Sequence, residues 1–462
     1  MIAMAENITH DVSGVRFLLV AMACLSYIAA AAHGVDMSVV SGAGYRAWVD
    51  GRRVEVLEIP APSMHDHQLP DDAARPYSAA IFDAEGTVTV RVESDADLSN
   101  TRILPLSRGI VPQLDGPRAL TFRAKPPFTL SVEPMSRHEA LILSARSPDP
   151  DPPKQGNKGV MWLGPGRHHF DKPIELRSCE TLYLATGAFV EAAVRGTGTN
   201  ITVCGHGVLS GLCWPWRGGP AQHMLRFEGA DLTLRDFTVI GSYHWTVVLD
   251  RMSRARIKGL NILNGHVLND DGIDICHSRD VTICDCFIRS QDDCIAVKYC
   301  CEGLKVENCS LWADVANIFR IGYECHGPPC RFAGLRVRNV DILHQAVSNK
   351  RQWQNAVNIQ ASNDAIFEDF VFDGLRFDTV KADDRLASVR TLIIRDEWQQ
   401  HERAGHVRGV TFRNVRLPPD APQSANNAIF VKSHDKEHTV SGILNECANV
   451  RVCIDEPRHV QE

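Results

Sequence analysis

The sequence predicts an all-β protein in two parts, a small β-sandwich followed by a parallel β-helix, and three observations carry that prediction. First, short β-branched runs recur after residue 158 with Gly or Asn/Asp punctuation. They are Thr181 to Ala185, Ile201 to Cys204, Leu232 to Val239, Arg256 to Leu263, Val281 to Ile288, Leu304 to Leu311, Leu335 to Leu343, Phe367 to Phe377 and Val410 to Leu417. A spacing of roughly 20–30 residues is that of a solenoid, whose stacked coils bury one continuous core. Second, no stretch reads as the long amphipathic helix that a β/α barrel needs after each strand. Third, the chain before residue 147 has another texture, of short alternating strands joined by turns.

That N-terminal part begins with Tyr45 to Val49 and Val54 to Leu57 flanking Asp50-Gly51, a two-residue hairpin signal. Alternating runs follow at Val88 to Val92, Leu120 to Ala124, Phe128 to Val132 and Leu141 to Leu143. Strands at this spacing predict a sandwich over residues 35–146. Residues 147–157, SPDPDPPKQGN, are rich in Pro and polar residues without a period and read as a linker. The β-helix is expected over residues 158–462.

Phe17 to Ala32 is the one long apolar run, too short for a comfortable membrane span. Arg16 precedes it and small residues end it, the pattern of a secretory signal over residues 1–32. Glu6 and Asp11 in the leading segment run against that pattern. The expectation is a secreted or periplasmic protein with no membrane attachment after signal removal.

Of 462 residues, 44% are hydrophobic and 23% charged, which describes a globular protein. A net charge of -7 excludes the basic footprint of a nucleic-acid binder and suits an uncharged partner. The 15 cysteines fall to an even number once Cys24 leaves with the signal, which permits disulfides. Cys325 and Cys330 bracket a tight loop, and Cys447 and Cys453 are also close. Cys276, Cys284, Cys286, Cys294 and Cys309 lie in or beside strands and read as thiols filling a core. No Cys/His spacing matches a zinc site, and no metal or cofactor is expected.

The functional signal lies in Leu268 to Lys298, LNDDGIDICHSRDVTICDCFIRSQDDCIAVK. Two acidic pairs, Asp270-Asp271 and Asp292-Asp293, each run straight into a short apolar strand, although Asp is depleted in strands. Aligning those strands matches Ile273 and Ile275 with Ile295 and Val297. Later coils offer Phe319 and Ile321, then Val357 and Ile359, and an earlier one Val247 and Leu249. With these residues inward, the residues between them face out and form columns. One column holds Trp245, Asp271, Asp293, Asn317 and Asn355. A second holds Asp274, Ala296, Arg320 and Asn358. A third holds Lys298, Gly322 and Gln360, extended by Arg395.

The columns predict a cleft with an aromatic residue at one side, carboxylates at its centre and polar groups beyond. Strands of neighbouring coils lie ~4.8 Å apart, so Asp271 and Asp293 are expected side by side. Two like charges that close push one pKa upward. Carboxylates with separated pKa values are what acid–base cleavage of a glycosidic bond requires.

These residues resemble a known family. Asn269-Asp270-Asp271-Gly272-Ile273-Asp274 resembles the N-T-D-G-x-D motif of polygalacturonases. Gln291-Asp292-Asp293-Cys294-Ile295-Ala296 resembles their Q-D-D-C-I-A motif, at a matching separation. The resemblance covers about Ser242 to Gln360. It implies an inverting glycoside hydrolase on a right-handed parallel β-helix, with Asp292 as general acid and Asp271 and Asp293 holding the attacking water. It also implies a separation of ~6.5–9.5 Å between Asp292 and one of the other two carboxyls. A dextranase and isopullulanase family of the same clan keeps the three aspartates and carries a β-sandwich before the helix. Gly42 to Arg146 is similar to that extra domain.

Two departures bear on the substrate. Asn317 stands where polygalacturonases have the His of G-H-G, and Asn358-Ile359-Gln360 stands where they have R-I-K. That Arg/Lys pair binds the substrate carboxylate in the family, and amides make no equivalent charge-assisted contact. The carbohydrate substrate is therefore expected to be neutral. The dextranase-like branch also lacks that His. Gly205-His206-Gly207 lies several coils too early and reads as a turn.

Other candidate substrate contacts keep two readings. Trp245 either stacks on a sugar face or is covered. His244 either packs or joins the site. Arg320 binds a substrate hydroxyl or pairs with Asp274. Lys298, Tyr323 and Glu324 are candidate subsite residues, and Asn269 is a turn residue that would orient Asp271. Two other functions compete. A polysaccharide lyase would use Ca²⁺ with a basic residue, roles Asp271, Asp293 and Lys298 would have to fill. A non-catalytic carbohydrate-binding solenoid would use the same cleft without turnover.

Overall fold

The computed structural model describes residues 44–60 and 76–455, apart from positions 135, 266, 346–354, 383 and 425. The apolar run Phe17 to Ala32 lies outside them. Among the described residues no helix is long and apolar enough to cross a membrane.

The strands Arg46–Val49 and Arg52–Val54 pair antiparallel around Asp50 and Gly51, both at positive φ, as a two-residue turn of this sequence requires. They belong to a five-stranded sheet with Val88–Glu93, Ala119–Ala124 and Gln113–Leu114. A second five-stranded sheet holds Leu57–Ile59, Tyr77–Asp83, Leu141–Arg146, Phe128–Glu133 and Arg102–Leu104. Val90, Val92, Leu120, Leu130, Val132 and Leu143 fill the space between them.

From Val160 to Asp455 the chain forms a single sheet system of 29 strands, a parallel β-helix. The coil that begins at Ile273 contributes three strands, elsewhere two of them merge into one long strand such as Val247–Lys258 or Ile366–Phe377, and each strand pairs parallel with its equivalent in the next coil. Ile273–Cys276 pairs with Ile295–Lys298, Arg279–Cys284 with Lys305–Glu307, and Phe287–Ser290 with Ser310–Ala313. The Gly and Asn/Asp punctuation of the sequence marks the corners. Asp236, Gly259, Asp285, Asn308, Asn339, Gly374 and Asn414 all take positive φ. Gly reaches that region at no steric cost, and Asn and Asp tolerate it better than other residues. The corner amides also ladder, Asn339 donating to Asn308 at 2.6 Å and Asn308 to Asp285 at 3.4 Å.

The cysteines of the central coils are buried thiols packed in the stack, among them Cys276, Cys284, Cys286, Cys294, Cys301 and Cys309. Burial pushes the Cys284 thiol up to about 11 and the Cys301 thiol up to about 12. Among the described residues one disulfide forms, between Cys300 and Cys330. Cys325, Cys447 and Cys453 are free, so neither sequence-adjacent pair is bridged.

The sheets of the N-terminal part and the β-helix lie in one compact unit, Ser41–Glu462, and share a seam. Ile59, Tyr77, Leu104 and Ile142 pack against Ile240, Leu263, Phe287 and Trp312. Polar groups cross the seam too. Arg146 donates to Thr238 Oγ1 at 3.1 Å, and Glu133 pairs with His344 at 2.9 Å. His206, the residue of the early Gly-His-Gly run, pairs with Asp83 at 2.8 Å, which gives it a structural role. Arg289 is held between the rings of Tyr77, 3.8 Å away, and Trp312, 3.9 Å away, with Asp314 at 3.0 Å. Removing one partner of a buried ion pair strands the other charge. Arg289→Met is therefore expected to cost about 3–5 kcal/mol, read as a lower denaturant midpoint. An unchanged midpoint would contradict it.

Candidate active site

The register predicted for the cleft coils is the one observed. Val247 pairs with Ile273, Ile273 with Ile295, Ile295 with Phe319 and Phe319 with Val357. Leu249, Ile275, Val297, Ile321 and Ile359 follow two residues on in the same order. All ten are almost fully buried. The alternation that turns them inward sends the residues between them outward, so Asp274, Ala296, Arg320 and Asn358 are one ladder.

The third column departs from expectation. Gly322 pairs with Gln360, and Gln360 pairs with Arg390, not with Arg395. The strand is Ala387–Thr391, so Arg395 lies beyond its end in an exposed loop, where its Nε donates to the His401 carbonyl at 3.3 Å. Arg390 is half-buried. Burial, with Arg320 and Arg385 nearby, pushes its pKa down to about 10.

The three aspartates come together. Asp271, Asp292 and Asp293 each place one carboxylate oxygen within 4.8 Å of the other two. These nearest oxygens lie closer than the ~6.5–9.5 Å that separates acid and base carboxyl groups as wholes. Adjacent coils set the spacing of Asp271 and Asp293, and Asp292 is a chain neighbour of Asp293. Three oxygens at that spacing can share one water oxygen about 2.8 Å from each, an ordinary hydrogen-bond distance.

Electrostatics separates their roles. Asp292 is the accessible member. Burial at the cleft floor, with Asp271 and Asp293 beside it, raises its pKa well above the carboxylate range. Its Oδ1 accepts from the Asp293 N–H at 3.0 Å, and its Oδ2 from Asn269 Nδ2 at 3.4 Å. Asn269, at positive φ, thus orients Asp292 and not Asp271. Asp293 Oδ1 accepts from the Asn317 side chain at 2.6 Å and from its backbone N–H at 2.9 Å. Asn317 in turn accepts from the Asn355 N–H at 2.9 Å and from Asn358 Nδ2 at 3.1 Å.

Lys298 is the cation of the carboxylate floor. Its Nζ lies 2.7 Å from Asp274, 3.3 Å from Asp271 and 3.8 Å from Glu324. The partner of Asp274 is therefore Lys298. Arg320 faces Asp293 at 3.8 Å and stacks on Tyr323, whose hydroxyl donates to Asp396. Burial pushes Asp274 up to about 6 against the pull of Lys298. Asp271 is also raised, by burial and by Asp274 and Asp293, with Lys298 opposing. Lys298 sits 3.5 Å over the Trp245 ring, so that indole carries a cation on its face. His223 stacks on Trp245 with centroids 5.1 Å apart and on His244 at the same separation. Burial holds both imidazoles neutral, at about 3 for His223 and about 4 for His244.

Buried polar atoms without a hydrogen-bond partner among the described residues include Asp271 Oδ1, Arg320 Nε and Gln360 Oε1 of these columns, and Glu324 Oε2 beside them. Buried polar groups are nearly always satisfied, so such a group marks a place where a polar ligand or water binds.

Sequence reasoning missed Asp270, His223, Arg390 and Trp398. Asp270 is fully buried and accepts from the backbone N–H groups of Gly265 at 2.7 Å, Gln291 at 2.7 Å and Asp292 at 3.3 Å. It anchors the turn that carries the acid. Its adjacency to Asp271 implied the opposite facing and so this role. His223 and Arg390 become visible when the register is carried one coil further in each direction. Trp398 is 64% exposed in the loop that carries Asp396, and no periodicity announces it.

Comparison with known proteins agrees with this architecture. Residues 217–313 match the family model of Glycosyl hydrolases family 28, a segment that includes all three aspartates. Fold and match together define a polygalacturonase-like parallel β-helix of the family 28 type. An isopullulanase from Aspergillus niger is 24% identical over 217 residues, covering 41% of this chain and 37% of that protein. The match thus spans well under half of that relative. Dex49A from Penicillium minioluteum shares the fold with a TM-score of 0.53 at 14% identity, over 87% of this chain and 90% of that one. A family 28 exopolygalacturonase from Yersinia enterocolitica aligns with a TM-score of 0.46 at 12% identity, over 80% and 95%.

Proposed function

We propose that the protein is a glycoside hydrolase that cleaves O-glycosidic bonds of a neutral poly- or oligosaccharide with inversion at the anomeric carbon. The observation that carries this reading is the cluster of Asp271, Asp292 and Asp293, one oxygen of each within 4.8 Å of the others. Asp292, with its raised pKa, holds the proton given to the leaving oxygen. Asp293, oriented by two donors from Asn317, and Asp271, beside Lys298, position the attacking water.

Neutrality of the substrate rests on charge balance. Lys298 is committed to Asp271 and Asp274, Arg320 faces Asp293, and the ladder beyond carries Asn358 and Gln360. Subsites built from amides bind by ~0.5–1.5 kcal/mol per contact, against ~1.5–3 for charged ones. The isopullulanase relative supports an α-glucan as the class to try first.

Two observations favour a second reading. Carboxyls ~5–5.5 Å apart belong to retaining enzymes, so the tight cluster also suits a double displacement. Arg390, in register with Gln360 and with a buried Nε that has no hydrogen-bond partner among the described residues, would suit a uronate. One experiment separates them. Early products from pullulan, dextran and polygalacturonate are followed by proton NMR at low and high salt. The expected result is faster cleavage of a neutral glucan, little salt dependence and an inverted first anomer. Retention would replace the mechanism. Faster cleavage of polygalacturonate, falling as salt rises, would replace the substrate.

A further inference from the structure

Away from the cleft, the last coils bring together Asp364, His406 and His438, each offering a ligand atom within 4.8 Å of the other two. The residues come from three successive coils. Asp364 precedes the strand Ile366–Phe377, His406 begins His406–Arg413, and His438 precedes Val440–Glu446. Those strands pair Ile366 with His406 and Val407 with Val440, which puts the three side chains on one surface line. We propose that they form a binding site for a divalent transition-metal ion of the zinc class, clasping the C-terminal coils.

Geometry and donor chemistry argue for this. His438 Nε2 lies 3.5 Å from Asp364 Oδ1, and the pair makes no hydrogen bond. Two ligands at zinc bond lengths in a tetrahedron stand about 3.3–3.6 Å apart. Two imidazoles with one carboxylate are a donor set that zinc, nickel and copper take in preference to calcium or magnesium. The His406 and His438 rings lie face to face, with centroids 5.1 Å apart and planes 26° apart, so neither blocks the other's edge.

The outer shell is built as well. His438 Nδ1 lies 3.0 Å from both oxygens of Asp435. Asp435 is itself fixed by the backbone N–H groups of Glu437 at 2.8 Å and His438 at 2.7 Å. A carboxylate on the far nitrogen fixes the tautomer and ring orientation of a metal-binding His, leaving Nε2 as the ligand. Asp364 is held in a turn in which it and Asn363 both take positive φ. The competing cation is Arg403, 3.2 Å from the same Asp364 oxygen but 61% exposed. An exposed side chain of that kind gives way to a chelated dication at little cost.

The test uses the tag-free full chain, stripped with chelator and titrated with zinc chloride by calorimetry, with bound zinc counted after desalting. The expected result is one equivalent more in the wild type than in His406→Ala or His438→Ala. Asp435→Asn should weaken that equivalent about 10–100-fold. Zinc should raise the melting temperature of the wild type more than that of the two His variants. Reading the difference cancels any zinc held by the separate group of His169, Glu191 and Cys213. Asp364→Asn, nearly isosteric, reads the site if a His variant fails to fold. Equal stoichiometry and affinity across wild type and variants, or no zinc retained by the wild type, would overturn the proposal. Neither outcome depends on hydrolase activity.

Discussion

Asp292→Asn is expected to lower kcat by about 10²–10⁴-fold, the usual share of a general acid, while the fold is retained. The amide keeps the acceptor that meets the Asp293 N–H, so the turn held by Asp270 should persist. What is lost is the proton. Burial, with Asp271 and Asp293 beside it, keeps that carboxyl protonated to higher pH than a free one. Wild-type activity should therefore fall as pH rises through the raised pKa, and that limb should be missing from the variant. Steady-state kinetics across pH, with circular dichroism as the folding control, checks both points. A variant with more than half of wild-type kcat would remove Asp292 from the acid role.

Lys298→Met should be the most damaging change to the floor of the cleft. It leaves Asp271 and Asp274 buried without their cation, which costs about 3–5 kcal/mol at neutral pH. The pH dependence has a definite sign. A carboxyl whose folded pKa lies above its unfolded value of about 3.9 contributes stability below that value. It loses that contribution as pH rises through the folded pKa, already about 6 for Asp274 with Lys298 present. Without the cation the folded values of Asp271 and Asp274 move up further. The variant's deficit should thus be large above pH 6 and shrink as both groups protonate in acid. Lys298→Arg keeps the charge and should recover most of the loss. A deficit equal at all pH values would mean that the stem of Lys298 matters through packing against Trp245 and not through charge.

Much of this molecule is legible in its sequence because a solenoid is nearly one-dimensional. Each coil touches only its neighbours, so aligning Ile273 with Ile295, Phe319 and Val357 determined the register from strand alternation alone. The columns of Asp271 with Asp293 and of Asp274 with Arg320 followed from that alignment, as did the Asp50-Gly51 hairpin from its turn chemistry. Tertiary structure decided what alternation does not encode. Side-chain reach chose Lys298, not Arg320, as the partner of Asp274, because Lys298 extends across the floor from its strand end. The length of the strand Ala387–Thr391 put Arg390 in the column and left Arg395 in a loop. Coil spacing brought one oxygen of each of the three carboxylates within 4.8 Å of the other two. The seam that traps Arg289 between Tyr77 and Trp312 joins residues too far apart in the chain for any local pattern to link. The same holds for Asp364, His406 and His438. Their separations match no metal motif, and only the stacking of coils of unequal length sets them on one line.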